Sequence, residues 1–159
     1  MKTPVGRFHA RARFLARHGL MTAEVLVFLI RSHVDLRRVA FSRLEPRLGD
    51  RMRETSRQLS GSEEAVARQV RLVVRVVADR LPWTSTCLVR AMAARAMLAR
   101  RRLPCTLYLG LRAPALSLEA HAWLRAGSIA VTGGGESRAF HPVAWFATWS
   151  EAAPPGTGE

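Results

Sequence analysis

The hydrophobic period of this chain changes once, at Leu103 and Pro104. Ahead of that point apolar residues recur at i, i+3 and i+4, and beyond it they alternate. A period near 3.6 buries one stripe of a helix, whereas a period of two buries one face of a strand. The switch therefore divides the chain into helices first and a small antiparallel sheet second, and the expected fold class is α+β.

Three helices are expected ahead of the switch. The stretch TAEVLVFLIRSHVDLRRVAF, Thr22 to Phe41, has helical spacing, with Thr22 as N-cap and Arg37 and Arg38 near its C-terminal end. It reads as a buried helix. SGSEEAVARQVRLVVRVVADRLP opens with Ser60 and Glu63 at capping-box spacing, and Val66, Val70, Val73, Val74, Val77 and Leu81 then share a stripe that Pro82 ends. Its β-branched residues weaken the intrinsic helix preference, and the period overrides them. Ser85 or Thr86 then caps a third helix from Cys87 to Arg101, and the cations Arg100, Arg101 and Arg102 suit the negative pole of its dipole.

Beyond Pro104, Cys105, Leu107, Leu109 and Leu111 point one way while Thr106, Tyr108 and Arg112 point the other, which describes a strand with one buried face. A loop with Pro114 leads to a second strand, EAHAWLR, and Gly127 and Ser128 turn it into a third, IAVT. Gly133, Gly134 and Gly135 close that strand, and FHPVAWF adds a short last one. The triple glycine lacks the Lys and Ser/Thr of a phosphate loop and opens no helix. With 159 residues the chain is sized for one domain, 1–151, comprising a helical part, 1–82, and a catalytic core, 83–149. The Pro/Gly-rich tail 152–159 is expected to be disordered.

Charge bears on partners. The chain has 25 Lys+Arg against 12 Asp+Glu, a formal +13, and Lys2 is its only lysine. Such a surface attracts acidic partners, so a non-enzymatic basic module that binds nucleic acid is one function class to weigh. The arginines, however, are spread over helices instead of interleaving with exposed aromatics, which makes nucleic acid the rival reading, and a genome biased toward arginine explains the count with no function at all. Two cysteines make no disulfide scaffold, and no Cys or His pair has a metal-ligand spacing, so neither a metal nor a cofactor is expected. The apolar run Val25 to Ile30 is far below the roughly 20 residues of a membrane span and has no cleavage site after it. A reduced, cytoplasmic protein is expected.

Cys87 falls in the first turn of the third helix, where unpaired N–H groups and the positive end of the dipole favour a thiolate, the nucleophilic form of a thiol. Cys105 alternates with leucines on the inner face of a strand. A free cysteine is also commonly a small core residue, and a lone histidine such as His121 is commonly structural. A strand-borne His121 on a sheet packed against the cysteine helix is nevertheless the arrangement of papain-like and transglutaminase-like thiol enzymes.

The stretch TCLVRAMAARAMLARRRLPCTLYLGLR, followed after a short loop by AHAWLRAG, resembles the leader peptidases of lasso peptide biosynthesis. These are the transglutaminase-like B2 proteins, similar to the C-terminal part of the microcin J25-processing protein. The matching positions are Cys87, Leu88, Leu103, Pro104, Leu109, Gly110, Ala120, His121, Ala122 and Trp123, within a region from about Trp83 to Phe146.

The resemblance implies a cysteine protease that removes the leader from a ribosomally made precursor peptide, with Cys87 as nucleophile and His121 as base. The family's triad is completed by an Asp that falls where this chain has Gly133, and no Asp follows His121. Glu136 is the nearest carboxylate beyond it and the candidate orienting acid; a backbone carbonyl, or Asp79 ahead of the cysteine, is the alternative. The Cys87 N–H and the Trp83 indole are candidate oxyanion donors, although Trp83 serves equally well as core packing. Arg90 is a candidate substrate contact or a solvated cation. With no βββααα pattern before Thr22, the chain resembles the split form of the family. A separate leader-recognition protein of the B1 type is then the expected partner, and an ATP-dependent macrolactam cyclase acts after the cut.

Overall fold

The computed structural model describes residues 4–113 and 117–149, with side chains from residue 19 onward. Among them the elements run α1 (Pro4–Arg38), α2 (Phe41–Leu44), β1 (Asp50–Arg51), α3 (Gly61–Ala78), α4 (Cys87–Arg100), β2 (Cys105–Arg112), β3 (Glu119–Ala126), β4 (Ile129–Thr132) and β5 (His141–Thr148). The sheet has the order β1-β5-β2-β3-β4 with every neighbouring pair antiparallel. Helices lead and the sheet follows, the α+β architecture that the change of period implies.

The helix starts follow from local chemistry. Ser60 Oγ accepts from the Glu63 N–H at 3.3 Å while Glu63 Oε2 accepts from the Ser60 N–H at 2.8 Å, closing a capping box at the head of α3. The Ser60 hydroxyl and then its N–H hold the Glu63 carboxyl below its ordinary range. At α4 the cap is Thr86, whose Oγ1 accepts from the Val89 N–H at 3.3 Å, so Cys87 is the first helical residue. Val25 and Leu29 of α1, Val70, Val73 and Val74 of α3, and Met97 and Leu98 of α4 join Leu107, Leu124 and Phe146 of the sheet in one buried cluster.

Three expectations are corrected. The first helix starts at Pro4, and Thr22 lies in its interior instead of capping it. Proline is favoured at a first helical position, and upstream of Thr22 only Gly6 and Gly19 oppose helix, each at a cost of about 1 kcal/mol. That helix ends at Arg38, and Phe41 opens the short α2. Nor is α1 buried all round, since Leu20 is 91% and Val27 62% exposed while Val25 and Leu29 are sealed.

The third correction concerns β2, which is buried on both faces over Cys105, Thr106, Leu107 and Tyr108. It lies between β3 and β5, and residues 54–57 cover its second face. There the Thr55 N–H donates to Thr106 Oγ1 at 3.0 Å, and Arg125 donates to the Tyr108 hydroxyl at 3.1 Å and to the Thr55 carbonyl at 2.9 Å. The short edge strand β1, paired with β5, comes from a stretch with no alternation to announce it. The Pro114 loop in part, and the tail 152–159, lie outside the described residues.

Candidate active site

Cys87 begins α4, where the first N–H groups of a helix have no intrahelical acceptor. Its side chain is half-buried, packed against the edge of the core, and without a hydrogen-bond partner among the described residues. It opens on a cavity of about 730 Å³. One wall is α3, through Arg71, Val74 and Arg75; the head of α4 adds Ser85, Cys87 and Arg90; the end of the sheet closes it with His121, Thr132 and the turn Gly133 to Glu136. Cys105 has the opposite surroundings. It is sealed in the core, and burial pushes its thiol up to about 12, with Arg95, the Thr148 hydroxyl and Arg125 offsetting only part of that.

His121 pairs across the sheet with Gly110, where an added Cβ would come within 2.7 Å of the Trp123 ring. Alternation along β3 sends Ala122 and Leu124 into the core, while His121 shares the other face with Trp123 and Arg125. The imidazole is buried and stacks on Phe140 at 5.0 Å and Trp123 at 5.9 Å. Its Nε2 lies 2.9 Å from the Gly133 carbonyl oxygen. A carbonyl only accepts, so Nε2 carries the hydrogen and the neutral ring keeps Nδ1 as its free base. Gly133 has φ +66, and a Cβ there would meet the Ala122 carbonyl oxygen at 2.6 Å and Nε2 at 2.9 Å. A glycine at this position therefore allows the backbone to turn its own carbonyl onto the ring.

Glu136 is placed on the other nitrogen: its Oε2 is 3.9 Å from Nδ1, and its side chain is 78% exposed. Cys87 and His121 share the cavity without a hydrogen bond between them among the described residues. Arg90 is on the cavity wall, but its guanidinium bonds Asp79 at 2.8 Å and the Ser85 carbonyl at 3.2 Å, tying the end of α3 to the turn before Cys87. Asp79 is thereby engaged by Arg90. Trp83 is not among the residues that line the cavity; its ring lies 6.1 Å from that of His33, and its buried Nε1 has no partner among the described residues.

Four cavity residues escaped the sequence as site residues. Ser85 reads there only as a cap candidate, yet it lines the cavity, as does Thr132 on β4, and the buried hydroxyl of each has no partner among the described residues. Arg71 and Arg75 are not singled out in the sequence because nothing in a helical period marks which outward residues border a cleft. A signal was present: two arginines at i, i+4 repel, where Glu64 and Arg68 earlier in the same helix attract.

A helix-head thiol and a strand-borne imidazole of fixed tautomer on one cavity define, in an α+β fold, the architecture of thiol enzymes of acyl transfer. The model of the transglutaminase-like superfamily matches residues 26–144, and the chain belongs to that superfamily. The superfamily includes cysteine proteases and transglutaminases. No curated protein and no solved structure gives a significant match. Among the described residues no group of His, Cys, Asp and Glu is placed to hold a metal ion, and no helix is long and apolar enough to cross a membrane.

Proposed function

We propose that this chain is a cytoplasmic cysteine peptidase that removes the leader from a lasso peptide precursor. The observation that carries it is one cavity lined by both Cys87, at the head of α4, and His121, whose Nε2–H is held by the Gly133 carbonyl. The motif resemblance around Cys87 and Ala120 to Trp123 supplies the substrate. In the reaction Nδ1 of His121 takes the Cys87 proton, the thiolate attacks the scissile carbonyl, and the imidazolium protonates the leaving amine. Water, activated by the same nitrogen, then hydrolyses the thioester. The oxyanion donor at the helix head is the Cys87 N–H, while the Trp83 indole, the donor the family pattern suggests, lies off the cavity lining.

In this reading Gly133 supplies, through its carbonyl, what an aspartate side chain supplies in relatives. The closing of His121 onto Cys87 belongs to the substrate complex, since catalytic hydrogen bonds are often long before substrate arrives. A separate leader-recognition protein presents the precursor, and the cyclase takes the product. The exposed apolar residues of α1, Leu20, Val27 and Ile30, support a protein partner.

The test is cleavage of the precursor, read by mass spectrometry, with the recognition protein present and with or without iodoacetamide. Cleavage blocked by alkylation is the expected result; cleavage that survives alkylation overturns it. The formal +13 favours a second reading, a basic module that binds nucleic acid without catalysis. That module would bind with an affinity that falls steeply with salt and is indifferent to alkylation.

A further inference from the structure

We propose that the cavity selects substrates bearing an Asp or Glu side chain close to the scissile bond, held by Arg71 and Arg75. This deepens the peptidase reading and rests on it. Both arginines are exposed, stand one turn apart on α3, and line the cavity that Cys87 and His121 share. Neither has a carboxylate partner among the described residues, whereas Arg68 on the same helix pairs with Glu64 at 3.0 Å. Like charges at this spacing oppose the helix, so local stability does not account for the pair.

The remaining charges of the cavity do not neutralise them. Arg90 is matched by Asp79 at 2.8 Å, and Glu136 lies beside the imidazole at 3.9 Å. Two unmatched guanidinia, planar donors suited to carboxylates, therefore face a substrate on the α3 side. A space of about 730 Å³ is about 9 Å across, which spans about three extended residues at ~3.3 Å each. The acidic side chain accordingly falls within about three residues of the cut.

Two measurements on the full chain test this. The first is the rate of Cys87 modification by an anionic and a cationic methanethiosulfonate, the sulfonatoethyl and trimethylammonioethyl reagents. Cys105 is sealed and does not compete. Replacing Arg71→Gln and Arg75→Gln together should lower the anionic-to-cationic rate ratio about tenfold at low salt, while Arg37→Gln with Arg38→Gln, on α1, leaves it unchanged. An unchanged ratio, or an equal fall in both double variants, overturns the proposal. The second is cleavage of a C-terminally amidated peptide library randomised at three positions on either side of a fixed pair. Enrichment of Asp and Glu that is lost in the Arg71→Gln, Arg75→Gln variant supports it, and cleavage without acidic preference overturns it. If the ratio falls as expected but neither the library nor the precursor with its recognition protein is cut, anion selection by the cavity stands and the peptidase reading fails.

Discussion

Strand β3 carries two buried polar residues on one face, His121 and Arg125, and their surroundings differ in kind. Arg125 is saturated. Its guanidinium donates to the Tyr108 hydroxyl at 3.1 Å, the Ser56 carbonyl at 3.1 Å, the Gly127 carbonyl at 2.8 Å and the Thr55 carbonyl at 2.9 Å, with Glu54 and Thr106 Oγ1 each at 3.3 Å. Among the described residues His121 has one side-chain hydrogen bond, to Gly133, and the residues that line its cavity include a thiol and two buried hydroxyls without partners. An unsatisfied buried polar group costs about 1–3 kcal/mol, so a fold under selection for stability alone removes such groups. The saturated end of β3 is architecture, and the unsatisfied end is where a ligand has something to complete.

The comparison is most sharply tested at Cys87. Cys87→Ala should lower turnover by at least about a thousandfold, as loss of a catalytic nucleophile does, and leave the urea midpoint close to wild type. Intact protein should take up one equivalent of iodoacetamide near pH 8, on Cys87, since the Cys105 thiol stays protonated up to about 12. A second equivalent should react only once urea opens the core. Retained turnover in a folded Cys87→Ala variant would remove the functional half of the contrast.

Arg125→Met carries the opposite signature. Removing the cation strands the Thr55, Ser56 and Gly127 carbonyls and frees residues 54–57 from the sheet, and breaking a buried charge cluster from one side costs about 3–5 kcal/mol. The fall should appear in the urea midpoint, while turnover per folded molecule changes little. Arg125→Lys should recover only a minority of the loss, because an ammonium has three donors and no planar fork. A midpoint shift below about 1 kcal/mol would show that saturation at this end of the strand contributes little.

Much of this contrast is legible in the residue pattern itself. The period change at Leu103 and Pro104 puts helices before sheet, the Ser60 and Glu63 spacing marks the head of α3, and Thr86 ahead of an alanine-rich stretch puts Cys87 at a helix start. What the pattern hides is long-range. Arg125 reads as one more polar residue on an alternating strand, and its partners Thr55 and Ser56 lie in a stretch with no period. The Gly133 carbonyl is half legible: the resemblance puts an Asp at that position and a backbone carbonyl among the alternatives, but a backbone oxygen leaves no residue type to say which carbonyl it is. Helix α1 runs past Thr22 because a good cap residue does not stop a helix that has favourable residues on both sides.

Gly133 offers the next test in size. Gly133→Ala puts a side chain at φ +66 and a Cβ within 2.9 Å of His121 Nε2, so the turn must shift and the carbonyl moves off the ring. The strain costs about 1–2 kcal/mol of stability. Turnover should fall about 10- to 100-fold, mainly in kcat, if the carbonyl is what holds the tautomer. Gly135→Ala, where an added Cβ meets nothing within 4 Å, is the matched control and should be close to neutral in both measurements. Equal effects at the two glycines would mean that the turn acts only through its flexibility.

The smallest effect is expected at Glu136, and it separates two readings of the imidazole. A carboxylate that orients the ring must sit on the nitrogen that carries the hydrogen, and losing it costs about 10⁴ in turnover. Here that nitrogen, Nε2, faces Gly133, and Glu136 lies 3.9 Å from Nδ1 with its side chain 78% exposed. On that side its charge acts only after Nδ1 has accepted the thiol proton, by attracting the imidazolium across a distance that water and salt screen. Exposed pairs of this kind contribute about 0.2–1 kcal/mol, which corresponds to at most about a fivefold loss of turnover in Glu136→Gln. The loss should vanish at about 0.5 M salt, where the Debye length is only a few ångströms. A salt-independent loss of several orders of magnitude would instead make Glu136 the orienting group, and the ring would have to turn over in the substrate complex to present Nε2 to the thiol.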